Sequence, residues 1–384
     1  MLNYSSQTID KNDINAVTRV FKSKWLTTGP FVKEFEEKIS KKVNSKYCTV
    51  VNSATSALHI TCMALGVKQG DYVWTSSNTF VASANCALLC GAKIDLIDIE
   101  LNNYNLDVIK LEQKLIKAKK EDRLPKVIIP VHFAGYPCDM KKIFDLSKKF
   151  KFKIIEDASH ALGSIYEKNK IGNCKFSEAT IFSFHPVKII TTGEGGAITT
   201  NNNILNNKLR SLRTHGIVQN YSNKKKILKK KPWFFFQTEL GLNYRLTDIQ
   251  ASLGISQLKK IDKFLKIRNK ISNIYDKELK NLPIQLPILS GKNYSSFHLY
   301  VILLKKKNRD LLYKELLKKG YKTNIHYIPI YEHPYYKKFN FKKKNFQNNE
   351  IYFKNAISLP IFPNLSKIDI SKIVMIIKKF FLKK

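Results

Sequence analysis

Short β-branched runs alternate with helical stretches along the first half of the chain, and that alternation restricts the fold more than any other feature. Strands are expected over 47–51, 72–75, 93–97, 127–131, 153–157 and 179–184. Helices are expected near 55–66, 79–90 and 139–150, between them. A strand–helix–strand rhythm joins neighbouring strands in parallel, and a parallel sheet buries both of its faces. The expected class is therefore α/β, built on a large, mostly parallel sheet covered by helices.

Two amphipathic stretches, 10–24 and 30–44, precede this region, separated by WLTTGP at 25–30, whose Gly-Pro step marks a turn. Beyond it a strand is expected at 197–200 and a helix at 206–213, and the lysine-rich stretch 223–231 reads as an exposed loop. A helical pattern then runs from 247 to 281, ending at Pro283 and Pro287. At 384 residues the chain exceeds what one hydrophobic core usually serves, so the change of domain is placed inside that helix. Residues 1–254 form an arm and a large domain, and 255–384 a smaller α+β unit. In the smaller unit strands are expected near 297–304 and 323–328, and helices near 308–319 and 366–382.

The formal charge of +37, from 67 Lys and Arg against 30 Asp and Glu, raises the question of nucleic-acid recognition. The excess is diffuse, in clusters such as 224–226, 229–231, 305–307 and 342–344, without zinc-finger spacing, an aromatic RNA-binding motif or a basic zipper. A general attraction for anionic substrates follows, and no specific nucleic-acid partner is expected. The six cysteines include no CxxC pair and are expected to be reduced; no metal is expected either. The start is polar, and nowhere do about 18 uncharged apolar residues run together, so no membrane association is expected and the cytoplasm is the expected compartment.

The stretch SFHPVKIITTGEGGA at 183–197 holds the first candidate for chemistry. Pro186 cannot donate to a sheet ladder, so Lys188 falls on a loop at a strand's carboxyl end, where open α/β sheets hold ligands. Glycines at 193, 195 and 196 let the backbone approach a cofactor closely. Desolvation or nearby cations would lower the lysine's pKa and free its amine for a Schiff base with an aldehyde; the plain alternative is a surface lysine in a glycine turn. Upstream, IIEDASH at 154–160 ends another strand with Asp157. A carboxylate there can pair with a protonated pyridine nitrogen, as a pyridoxal cofactor requires, and His160 can reach the ring's phenolic oxygen. Taken alone, Asp157 also reads as a helix cap. The third candidate is NSATSA at 52–57, whose backbone N–H groups and hydroxyls at a helix N-terminus suit a phosphate as well as an ordinary cap. It lacks the GxGxxG and GxxxxGK[ST] patterns of dinucleotide folds and P-loop kinases.

In this order and at these separations, the three stretches resemble the DegT/DnrJ/EryC1/StrS family of sugar aminotransferases, and the resemblance covers nearly the whole chain. LTTGP at 26–30, LNYRLTDIQA at 242–251, HYIP at 326–329 and SLP at 358–360 add to it. It implies the type I (aspartate aminotransferase) fold, a pyridoxal 5′-phosphate cofactor and a homodimer with a shared active site. Lys188 would be the Schiff-base lysine, Asp157 the partner of the pyridine nitrogen, and His160 the neighbour of the phenolic oxygen. Ala54, Thr55, Ser56 and Ser183 match phosphate contacts, and Phe80 falls where the family stacks a ring on the cofactor, its alternative being plain core. Asn243 matches a phosphate contact supplied by the second subunit, with Arg245 beside the same shared site.

Substrate contact is expected from Tyr4, Trp25, His185, Arg245 and Tyr327, while the loop 217–238 either closes over the nucleotide or is decoration. Family members that dehydrate or deoxygenate sugars carry histidine in place of the lysine, so Lys188 implies transamination. The resemblance implies transfer from L-glutamate to C4 of a UDP-linked 4-keto-6-deoxy-N-acetylhexosamine. A dTDP- or GDP-linked keto-sugar as acceptor, and a non-catalytic regulator that binds pyridoxal phosphate, are the alternatives.

Overall fold

The computed structural model describes residues 1–218, 231, 233–289, 291–306 and 308–382. In chain order it begins with β1 (Leu2–Asn3), α1 (Lys11–Phe21), α2 (Pro30–Val43), β2 (Tyr47–Val51), α3 (Ala54–Ala64), β3 (Tyr72–Ser76), α4 (Ala82–Leu89) and β4 (Lys93–Ile97). It continues with α5 (Val108–Lys120), β5 (Val127–Ile129), α6 (Met140–Phe150), β6 (Lys153–Asp157), the small hairpin β7 (Ile165–Tyr166) and β8 (Asn169–Lys170), then β9 (Ala179–Ser183), β10 (Gly196–Thr200) and α7 (Asn203–Leu212). A second small ribbon pairs β11 (Ile217–Val218) with β12 (Phe236–Gln237). Helices Asp248–Lys259 and Ile261–Leu279 lead to the C-terminal sheet of β13 (Ile284–Gln285), β14 (Tyr300–Leu304) and β16 (Ala356–Leu359). β15 (Tyr321–Lys322) pairs in parallel with β1, tying the N-terminus to the C-terminal unit.

The central sheet has seven strands in the order β2-β10-β9-β6-β5-β3-β4. All run the same way except β10, which is antiparallel to β2 and β9. Both faces are buried, and the side-chain period of two shows why the strands are apolar almost throughout. Val50, Ile128, Ile154 and Phe182 pack on one face with Phe35 and Ile39 of α2. Their neighbours Val51, Ile129, Ile155 and Ile181 pack on the other with Leu58 and Ile60 of α3. A third cluster gathers β14, β16 and helix Lys367–Leu382 through Ile302, Ile357, Ile373 and Ile377.

Two motifs noted in the sequence meet here. The buried Asp248 carboxylate accepts the N–H groups of Gly29 at 2.7 Å and Phe31 at 2.9 Å, capping α2, whose own N-cap residue is a glycine. Gly254, one helical turn and a half along, faces Phe35 so closely that an added Cβ would sit 2.4 Å from the ring. Edge strand β2 is closed by side chains. Glu36 of α2 accepts the Val50 N–H at 3.1 Å and binds Arg210 and Arg213 of the α7 region at 2.5 and 2.7 Å; those two donate to the carbonyls of Cys48 and Val50. A strand edge otherwise open to pairing is thereby occupied.

Several expected elements differ. α5 has no counterpart among them, because lysines between its apolar positions obscure the stripe of Leu111, Leu115 and Ala118. Helix Gln347–Asn355 has none either, being polar apart from a few positions. The single helix expected over 247–281 is two, with Lys260 between them, where its amine is drawn onto Asp10 and Asp13 of the arm. β5 stops at Ile129, and Val131 keeps only one bridge to Asp157. No strand forms over 323–328: after β15 the chain leaves the ladder, and the Tyr327 N–H bonds to the Asn78 side-chain oxygen at 3.1 Å instead. The strand expected at 297–304 begins at Tyr300, since Arg268 claims the carbonyls of Phe297 and His298. Most of the 223–231 stretch lies outside the described residues.

Removing the Glu36 carboxylate would leave the Val50 amide without its acceptor and two guanidinium groups without their anion. Glu36→Ala should therefore lower unfolding stability by about 3–5 kcal/mol, read from the denaturant midpoint. A loss below about 1 kcal/mol would mean the clamp contributes little.

Candidate active site

Because β3, β5, β6 and β9 run in parallel, their carboxyl ends share one edge of the sheet, and the antiparallel β10 starts at the same edge beside the end of β2. A cavity of about 480 Å³ opens there, bounded by the segments that follow these strands, by Tyr4 of the arm, and by 324–327 of the C-terminal unit.

Lys188 lies in a loop that leaves β9 and returns to β10. The Phe184 N–H bonds to the Gly195 carbonyl at 2.9 Å and the Thr192 N–H to the Phe184 carbonyl at 3.0 Å, closing the loop at its neck. The buried Ser5 hydroxyl of the arm donates to the Val187 carbonyl at 3.0 Å, holding the peptide before the lysine. Burial pushes the Lys188 amine down to about 8, and the Asp157 charge opposes that shift. An ammonium stripped of water is disfavoured, so a reactive free amine is present near neutrality.

Asp157 ends β6 and is 5% exposed. One oxygen accepts the Ser159 N–H at 3.1 Å and the other the Ser83 hydroxyl at 2.6 Å. His160 follows. Its Nδ1 accepts the Ala134 N–H at 3.2 Å, so the ring proton is on Nε2, which faces the Tyr327 hydroxyl at 3.1 Å. His298 packs on it with ring centroids 4.3 Å apart, and His326 bonds Ser358 at 2.8 Å. Burial holds His160 and His298 well below the usual histidine value and His326 at about 3, with the Lys188 charge adding to each shift. All three are neutral at physiological pH. They bring dipoles and hydrogen-bonding atoms to the cavity without adding to its positive charge.

The third predicted stretch is the entry to α3. Ser53 caps the helix by accepting the Ser56 N–H at 3.0 Å, while the Ser56 hydroxyl donates to Asn52 at 2.6 Å. Ser56 is thus buried within the cap, and Ala54 and Thr55 present the helix's first amides and a hydroxyl to the cavity. Gly196 makes this turn possible: a Cβ there would lie 2.6 Å from backbone atoms of Ser53 and Ala54.

Of the residues singled out from sequence, Lys188, Asp157, His160, Thr55, Ala54, Ser183, Phe80, Tyr4, His185 and Tyr327 face this one cavity. Phe80 is 56% exposed, so it is not plain core, and its ring lies 5.9 Å from that of Tyr327. Trp25, Asn243 and Arg245 do not line it. Trp25 is 53% exposed, Asn243 pairs through its backbone with Thr214, and Arg245 pairs with Val51. Sequence reading missed His298, Asn324 and Ser83, and named the HYIP motif without assigning His326 a role. Thr79 and Ser83, four apart where a strand passes into a helix, carried a spacing signal; His298 and Asn324 carried none.

The sequence model of the DegT/DnrJ/EryC1/StrS aminotransferase family matches residues 7–378. A UDP-4-amino-4,6-dideoxy-N-acetyl-beta-L-altrosamine transaminase of Campylobacter jejuni is 43% identical over 374 residues, covering 96% of this chain and 94% of its own. Helicobacter pylori PseC, an aminotransferase involved in the biosynthesis of pseudoaminic acid, superposes with a TM-score of 0.89 at 34% identity, covering 99% of both chains. Spr1654 of Streptococcus pneumoniae, in its PMP form, superposes with a TM-score of 0.90 at 30% identity over 99% of this chain and 98% of its own. It has been solved in a PLP form as well.

A lysine reacts with an aldehyde only as the free amine, so the folded-state pKa sets the pH profile. Capture of pyridoxal phosphate by the protein, trapped with borohydride and located at residue 188 by mass spectrometry, should rise with pH and level off above about 8. A midpoint near the value of an exposed lysine would show that the cavity does not desolvate the amine.

Proposed function

The chain belongs to the DegT/DnrJ/EryC1/StrS aminotransferase family, is a sugar aminotransferase of the type I fold that uses pyridoxal 5′-phosphate, and, we propose, aminates C4 of a UDP-linked 4-keto-6-deoxy-N-acetylhexosamine with L-glutamate as donor. The finer substrate reading draws on the printed activities of the Campylobacter and Helicobacter relatives, which point to pseudaminic acid biosynthesis. One observation carries the chemistry: a buried amine, pushed down to about 8 by desolvation, and a buried carboxylate face the same cavity from the ends of neighbouring strands.

The residues present fit the cofactor. Gly196 leaves room for the bare helix amides of Ala54 and Thr55 with the hydroxyls of Thr55 and Ser183 to receive a phosphate, and the helix dipole favours its charge. When bound, pyridoxal phosphate supplies an aldehyde for a lysine amine and a protonated ring that draws electrons away from the reacting carbon. Asp157 would hold the proton on the ring nitrogen, and His160 Nε2–H would donate to the ring's phenolic oxygen. Phe80 would stack on one face of the ring.

Lys188 Nζ would take the proton from the α-carbon of glutamate and, in the second half of the cycle, hand one to C4 of the sugar, its place on a closed loop fixing the face to which the proton is delivered. Neutral His160, His298 and His326 keep competing positive charge away from that amine.

Tyr4, His185 and Tyr327 are the sugar-side contacts we assign within this chain. Trp25, Asn243 and Arg245 lie outside the chain's own cavity, with Leu26 and Leu240 exposed near them in sequence, and we assign them to the cavity of a second copy in a homodimer.

Lys188→Ala should abolish the borohydride-trapped cofactor adduct at position 188 and lower turnover by about 10²–10⁴-fold. Turnover within a few-fold of the parent would defeat the assignment of the lysine. Mass spectrometry of products from a panel of UDP-, dTDP- and GDP-linked keto-sugars with glutamate tests the acceptor; amination of a dTDP or GDP sugar alone would replace this reading by a sibling activity. Addition of glutamate alone separates enzyme from regulator, since only an enzyme converts the bound cofactor's spectrum.

A further inference from the structure

We propose that Ser83 is a positioning residue, the second link of a hydroxyl relay from Thr79 that aims the Asp157 carboxylate at the cofactor's ring nitrogen. The inference rests on the reading of Asp157 given above and adds to it how that group is held.

An ionised carboxylate only accepts hydrogen bonds, so across the 2.6 Å contact Ser83 is the donor and the Asp157 Oδ2 atom the acceptor. A serine has one hydroxyl proton. With that proton committed, Ser83 can only accept from Thr79, whose hydroxyl lies 2.9 Å away. The direction of the whole relay therefore follows from the charge at its end: Thr79 donates to Ser83, and Ser83 donates to Asp157.

Both hydroxyls are sealed from water, Ser83 at 0% exposure and Thr79 at 1%, so no solvent molecule competes for the carboxylate from that side. The relay comes from the segment that follows β3, two strands away from β6 in the sheet. The Ser159 amide holds the other oxygen at 3.1 Å. Two donors on two different oxygens fix the plane of the carboxylate, which without them could turn about its side-chain bonds. Its remaining lone pairs open onto the cavity, which Asp157 lines.

Charge-assisted hydrogen bonds of this kind are shorter and stronger than neutral ones, so loss of the donor should be felt by whatever the carboxylate holds. A hydroxyl present only to fill the core would act on stability whatever residue stood at 157. A positioning hydroxyl acts through Asp157.

The test uses the holoprotein and the variants Ser83→Ala, Thr79→Val, Asp157→Asn and Ser83→Ala with Asp157→Asn. In Ser83→Ala, retention of pyridoxal phosphate should weaken and kcat should fall, each by about tenfold, with the sugar KM unchanged. The pH at which the visible band of the bound cofactor titrates should shift as well. Thr79→Val removes the donor one step back and should give a smaller change in the same direction, in a side chain of nearly the same shape. In the Asp157→Asn background the Ser83→Ala change should have no further effect on the band or on kcat.

Parent-like cofactor retention and band titration in both Ser83→Ala and Thr79→Val overturn the relay, as does a Ser83→Ala effect of equal size with asparagine at 157. If Asp157→Asn itself leaves the spectrum and kcat unchanged, the reading of Asp157 falls and takes this inference with it.

Discussion

The Lys188 amine depends on a balance between desolvation and the negative charge of Asp157. Lys188 is surrounded closely enough that its ammonium form is disfavoured, and Asp157, across the same cavity, restores part of what burial removes. Either influence alone would give a different residue. Without burial the lysine would be almost entirely charged at neutral pH and slow toward an aldehyde; without the carboxylate its proton affinity would fall further. The three buried histidines belong to this balance, because each one held neutral is a cation kept away from the amine.

The scaffold serves the balance by geometry. Five consecutive parallel strands bring their ends to one edge, and the reversal at β10 lets the chain fold back so that Gly196 lies against the start of α3 and the lysine loop closes on itself. Parts distant in sequence then complete the wall. Tyr4 and Ser5 of the arm reach it because β1 pairs with β15, and Tyr327 reaches it because its amide bonds to Asn78 after β3 and not to a ladder. The arm is thus bound both to the C-terminal unit and to the peptide preceding Lys188, and a disturbance of either would be carried to the amine.

What the sequence made legible follows from this arrangement. Lys188, Asp157 and Thr55 could be found because each lies at or within a few residues of the carboxyl end of a central-sheet strand, so a local pattern of apolar run, break and polar residue announces it. The central strands were legible for a similar reason: with both faces buried, Val50 and Val51 or Ile154 and Ile155 are adjacent apolar residues serving opposite clusters. His298 and Asn324 were not legible, since their place in the cavity is set by contacts between units and by no local period. α5 was hidden by its lysines, and the break at Lys260 by a partner in the arm some 250 positions away in the chain. The segment 323–328 misled because its β-branched and aromatic residues suit a strand, while its amides are claimed elsewhere.

The overall charge and the local charge obey different rules. A net charge of +37 spread over the surface raises the potential around the whole molecule and favours the approach of anionic ligands, at long range and in a salt-dependent way. Inside the cavity the same excess would be harmful, since each further cation near Lys188 would lower its proton affinity beyond what Asp157 offsets. The lysine-rich surface is compatible with the proposed chemistry because His160, His298 and His326, which line the cavity with the amine, are held neutral. Attraction is left to the exterior, and the protonation of one amine is left to burial and one carboxylate.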